Sequence, residues 1–272
     1  MSSGPLYTWK CQVALSDHGG WSDAVELLVF RGLIAAHILA GSIGAVSFWV
    51  PVIGRKGGVY HKRFGRVFTV SLLVTGSLAV ALSAFTLSDP AVTHPRLVGQ
   101  FGVPFIRGIF GWMMLHVGLL TINLTWYGWL CIRNRGAYAA NRTKLNVGLQ
   151  YAVIAAALNC AWQGWRIDQP LMMAISVVGV ATGGTNLAFL YARRHQPMDW
   201  LKEHIKAIVG AGISVYTAFM AFGSVRVFPA MALHPAMWSV PLVVGLAILL
   251  YHRRQVDLRR RRPALRPAVV LD

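Results

Sequence analysis

Nine histidines are spread along a chain of 272 residues, and four of them fall where an imidazole can do chemistry. His37 and His116 lie deep inside two long apolar runs, where an ionisable side chain is costly enough to mark a functional position by default. Counted from the same side, His37 is about twelve residues into its run and His116 about ten, so at roughly 1.5 Å per residue their depths agree within a helical turn. Neutral imidazoles at matched depth on two helices are what bis-histidine ligation of a b-type haem requires, with the iron taking one nitrogen from each side. His61 and His204 make a second, shallower pair, each in the first turns of its own helix, His204 following Pro197 and an expected N-cap at Asp199. Four such residues on four helices suit two haems stacked across a bilayer, with His37 and His116 as the outer iron ligands.

Neighbouring residues fit that reading. His37, Gly41 and Gly44 fall at i, i+4 and i+7, so one helix face carries a ligand and then two positions without side chains, against which a flat macrocycle can lie. The same glycines, like Gly179 and Gly183, can equally let helices approach closely, and Asn123, one heptad from His116, is a hydrogen-bonding alternative to iron. Arg31 and Arg107 on one side, with Lys62, Arg63, Arg66 and Lys206 on the other, match the carboxylates of haem propionates. His18, His94, His195, His234 and His252 lie in loops or tails and read as surface histidines.

The elements that position these residues are membrane spans. Apolar residues make up 56 % of the chain and charged residues 13 %, about half the soluble norm of roughly 25 %, and mean hydropathy is +0.53. An ordinary soluble domain is excluded. A spanning helix needs about 20 mainly apolar residues, and such runs occur at about 25–50, 67–88, 106–131, 145–164, 170–191, 204–227 and 233–251. The expected fold is all-α, a single polytopic bundle of seven transmembrane helices, with a basic tail over 252–272. Pro51, Gly54, Asp89-Pro90, Asp168, Pro170 and Pro229 punctuate the spans.

The net charge of +17 then reads as topology. Twenty of the 26 basic residues fall in the first, third and fifth loops and the tail, so these segments face the cytoplasm and the N-terminus lies outside. The arginine run Arg259–Arg262 can meet anionic lipid headgroups or serve as a solvated stop signal. Trp126, Trp129 and Trp200 on the inner side and Trp21, Trp162, Trp165 and Trp238 on the outer side form an aromatic belt.

Other chemistries have less to draw on. Cys11, Cys131 and Cys160 supply neither a disulfide framework, a CxxC pair nor a c-type haem attachment. The first twenty residues lack the pattern of a cleaved signal peptide. No Asp or Glu lies mid-span, which counts against a proton-coupled pump, and no HxxxH or HExxH pair supports an intramembrane zinc hydrolase. A transporter, channel or assembly partner remains the alternative, with Gly179, Thr182, Gly183, Thr185 and Asn186 in one helix and Asn146, Gln150, Asn159 and Gln163 in another as a polar path or as packing glue.

Ala36-His37-Ile38 with Gly41, the stretch Lys56-Gly57-Gly58-Val59-Tyr60-His61-Lys62-Arg63-Phe64-Gly65-Arg66, and Trp200-Leu201-Lys202-Glu203-His204 together resemble an uncharacterised family of bacterial polytopic membrane proteins. The resemblance implies a multi-pass protein of the bacterial inner membrane and groups His37, His61 and His204, without implying an activity. Haem b, and a quinone or redox protein as partner within the lipid bilayer, are expectations from the residues themselves. No partner among nucleic acids is expected.

Overall fold

In a computed structural model, residues 6–223 and 235–261 are described, and the described side chains begin at Ala24. Pro229, Arg226, His234, Arg262 and Arg266 lie outside those residues, as do the side chains of Cys11, His18 and Trp21. Among the described residues the chain is helical with short turns: α1 (Leu6–Ile53), α2 (Val59–Ser88), α3 (Pro90–Thr93), α4 (Pro95–Phe101), α5 (Val103–Ile106), α6 (Met114–Asn134), α7 (Lys144–Arg166), α8 (Pro170–Leu190), α9 (Asp199–Ala218) and α10 (Pro235–Arg261). Two π-helical segments, Arg107–Met113 and Phe219–Gly223, lead into α6 and extend α9.

Among the described residues, six helices are long and apolar enough to cross a membrane: Ala24–Ile53, Val59–Ser88, Val103–Asn134, Lys144–Arg166, Pro170–Leu190 and Asp199–Gly223. They answer to the first six expected runs. The seventh corresponds to α10, which is helical but whose later turns carry Arg253, Arg254, Arg259, Arg260 and Arg261. Helix α1 reaches back to Leu6, well before the run that the apolar pattern marks. The segment between the second and third spans folds into α3, α4 and α5, each begun by a proline at its first or second position, where the missing N–H costs nothing. Asp89 caps α3 by accepting from the Ala91 and Val92 amides at 2.8 and 3.0 Å.

Packing follows a ring and a wing. Helix α1 lies along α2, α2 on α6, and α6 on α9, while α9 returns to α1. The α7–α8 hairpin packs on the other side of α6, and α10 covers α9. The α2–α6 crossing is close because two glycines meet: a Cβ on Gly76 would fall 3.0 Å from the Gly118 carbonyl oxygen. Inside the ring, Phe48, Phe68, Leu72, Leu120, Leu124, Ala211 and Val215 form one apolar core. Without a hydrophobic force between lipid-facing helices, such side-chain fit and interhelical hydrogen bonds carry assembly. Thr121 Oγ1 and Ser214 Oγ, 2.6 Å apart, link α6 to α9.

The four basic segments gather at one end of the bundle. Arg260 binds Asp199 at 2.7 Å and Gln196 at 2.5 Å, Lys202 pairs with Asp257, and the Arg135 guanidinium sits 5.8 Å over the Trp200 ring. Arg142 donates to the Leu190 carbonyl at 2.6 Å, closing the end of α8. Met198, in the left-handed conformation with φ 66°, is the N-cap of α9, whereas Asp199 was the expected cap. The Asp199 carboxylate instead accepts from the Gln196 amide at 2.7 Å and from Arg260.

Candidate functional site

A tight turn prepares the first histidine. Pro51, inside α1, leaves Lys56, Gly57 and Gly58 to reverse the chain; Gly57 adopts φ 76°, a conformation that favours glycine, and extended Gly58 begins α2. Three residues into α2, His61 is thereby folded back onto α1, where Nδ1 donates to the Pro51 carbonyl at 3.2 Å. Lys56 Nζ donates to the same oxygen at 2.8 Å and also reaches the Val52 carbonyl. The carbonyls that α1 leaves unpaired at its end are satisfied in this way.

A glycine on α6 prepares the second. Gly128 has no side chain to hold α9 away, and a Cβ there would lie 2.9 Å from Ile208 Cδ1. The close approach lets His204 Nδ1 donate to the Gly128 carbonyl at 2.9 Å. His37 follows the same rule higher in the ring, its Nδ1 donating to the Thr75 carbonyl of α2 at 3.1 Å. A carbonyl can only accept, so each of these imidazoles carries its proton on Nδ1 and presents Nε2 as a lone pair. That is the orientation metal-binding histidines are given by their outer hydrogen bond.

The two expected pairs differ in how the structure places them. His61 and His204 lie within electrostatic reach of each other, and Lys56 is within reach of both His61 and His252. His252, read from sequence as a surface residue, is partly buried beside this group, and burial, with Lys56 adding to it, lowers its pKa. His37 and His116 are not brought together. His37 points to α2, while His116 is fully buried against α8, where a Cβ on Gly179 would fall 2.7 Å from its Nε2. Neither His116 nitrogen makes a hydrogen bond of ordinary geometry, although the Ile175 backbone on α8 is within reach of the ring.

The remaining expected residues sort in the same way. Gly41 and Gly44 face α2, with a Cβ on Gly41 3.5 Å from Thr75 Cγ2 and one on Gly44 running into Leu72. Their groove is filled by a helix. Arg31 and Arg107 are exposed at the other end of the bundle from His61, and Lys62, Arg63 and Arg66 are exposed at its basic end. Lys206 is already engaged, pairing with Glu203 at 2.5 Å, while Tyr127 donates to the same carboxylate at 2.8 Å. This Tyr127–Glu203–Lys206 group, with Tyr127 and Glu203 buried, was not expected; the i, i+3 spacing of Glu203 and Lys206 was the available signal. Among the described residues no three histidine, cysteine or carboxylate side chains cluster as metal ligands, so a three-ligand zinc centre is not assembled there.

His94 also differs from expectation. It stacks on Phe110 at 4.6 Å and meets Phe30 edge-on at 5.4 Å, and burial lowers its pKa. His195 stacks on Tyr138 at 3.9 Å. Both act as aromatic packing groups. Comparison with protein families, curated proteins and solved structures finds no match to this chain.

Proposed function

We propose that this is an integral membrane electron-transfer protein that holds a b-type haem between His61 and His204. The carrying observation is that these two residues, on different helices and 143 positions apart in sequence, lie within electrostatic reach of each other, each with Nδ1 tied to a backbone carbonyl. His61 and His204 supply the two nitrogens, and the Pro51 and Gly128 carbonyls fix both rings in the binding tautomer. Bound haem would supply a one-electron ferric–ferrous couple. Lys56, Lys62 and Arg63 set a positive potential suited to propionates.

The six apolar helices make the protein a multi-pass membrane protein. The clustering of basic loops at one end supports placing that end in the cytoplasm by the positive-inside rule, with the bacterial inner membrane as location and α10 as a seventh span. Electrons would come from a quinol or a protein partner. Expression under haem-replete conditions, an absorption spectrum and a pyridine haemochrome assay test the reading. A Soret band lost in both His61→Ala and His204→Ala supports it, and a colourless wild-type protein overturns it.

A further inference from the structure

The wing of the molecule carries a second polar system. Starting at the basic end, Asn134 Nδ2 donates to Asn141 Oδ1 at 2.6 Å, and Asn146 Nδ2 to the Asn141 carbonyl at 2.7 Å. Gln150 Nε2 then donates to the Asn146 carbonyl at 3.1 Å, and Asn186 Nδ2 reaches Gln150 Oε1 at 3.0 Å and Asn123 Oδ1 at 3.4 Å. Asn123, Asn146, Gln150 and Asn186 are completely buried and Asn141 nearly so. The line thus runs from the basic end to mid-depth. Past it, Gly183 receives the Ile154 side chain of α7, and Gly179, facing Ala157, leads to the His116 ring, with Ser176 one turn beyond on the same buried stripe of α8.

Along this seam buried polar atoms are left over. Asn141 Nδ2, Asn123 Nδ2 and Asn186 Oδ1 have no hydrogen-bond partner, and His116 has none of ordinary geometry, with only the Ile175 backbone within reach of its ring, although buried polar groups are almost always paired with protein or ordered water. The unpaired set mixes donors and acceptors. No Asp, Glu, Lys or Arg lies in α2 from Val67 to Ser88, in α7 from Leu145 to Trp165, in α8, or in α6 from Met114 to Ile132, and Cys160, Tyr127, Cys131 and Tyr151 are the other titratable residues of these stretches. A cation would find no carboxylate, an anion no base, and an apolar molecule would strand the amides. Water, small and uncharged with both donor and acceptor capacity, fits.

We propose that the α6–α7–α8 seam is a water path that connects the basic end of the bundle with His116 at membrane depth. The amides line its inner half, and the glycine and alanine contacts let the three helices part by the width of a molecule in its outer half. This path is separate from the His61–His204 pair, and nothing in it depends on haem.

The test is water-to-protein magnetisation transfer by solid-state NMR on the full chain in lipid nanodiscs, labelled at histidine and leucine. In the wild type, His116 is expected to gain water magnetisation nearly as fast as His61 at the basic end and severalfold faster than Leu72, which is equally buried. Asn186→Leu and Gln150→Leu should each slow His116 severalfold and leave His61 unchanged. The proposal is overturned if wild-type His116 gains magnetisation as slowly as Leu72, a result that needs no variant to fold, or if both variants leave its rate untouched.

Discussion

On the ring side of α6, three histidines are fixed: His37 to Thr75, His61 to Pro51 and His204 to Gly128, each through Nδ1. On the wing side, His116 is more deeply buried than any of them and is fixed by nothing of ordinary hydrogen-bond geometry. An imidazole oriented by a carbonyl presents one defined lone pair and suits coordination. An imidazole that no side chain holds suits exchangeable partners. The two sides therefore use one residue type for different ends, and depth alone does not tell them apart.

Filling the glycine that seats a histidine on each side separates the two most strongly. Gly128→Val drives a side chain into Ala207 and Ile208, and Gly179→Val into His116. Each should lower thermal stability in detergent by about 1–3 kcal/mol, the usual cost of overpacking. Only Gly128→Val should also displace His204 and remove the haem spectrum; equal spectral loss in both would merge the two sides into one site.

A smaller effect is expected from Asn186→Leu. It removes the donor that Gln150 Oε1 and Asn123 Oδ1 share, which in a membrane protein is worth about 0.6–2 kcal/mol. Thermal unfolding should register that loss with the haem spectrum unchanged. A spectral shift in this variant would join the wing to the ring.

The smallest effect lies at the α9–α10 contact. Lys202 beside Asp257 holds that exposed carboxyl below its usual range. The contact is therefore at full strength above the ordinary carboxylate value of about 3.9 and is lost as pH falls through the lower folded value. Spin-label distances between the basic ends of α9 and α10 should stay constant from neutral pH to about 5, and lengthen only below about 4. Asp257→Asn should weaken that acid dependence without abolishing it, because Arg260 and Asp199 make a second pair between the same helices, and change little else, since exposed pairs are weak and screened by salt.

What was legible in sequence was set by the bilayer. The apolar runs at 145–164 and 170–191 became Lys144–Arg166 and Pro170–Leu190, because membrane thickness fixes run length and proline and glycine mark the ends. The start of α2 ahead of its apolar run, with His61 in the first turn, was also readable from Tyr60, Phe64, Val67 and Phe68. Which helix a face meets was not. His37 and His116 have matched depths, but neighbour order in the bundle decides azimuth, and α2 stands between α1 and α6 in the ring. The π-helical segment Arg107–Met113 adds to the difficulty, since its wider turn shifts the register of all that follows, His116 included. The convergence of His61 with His204 depends on Gly57 and Gly128, whose roles appear only once the partner helices are in place.

The most direct measurement is the visible spectrum of the purified wild type beside three single variants, His61→Ala, His204→Ala and His116→Ala. The account predicts one b-type component that disappears in the first two and persists in the third. A spectrum that survives the loss of His61 or His204, or that vanishes with His116, would contradict it.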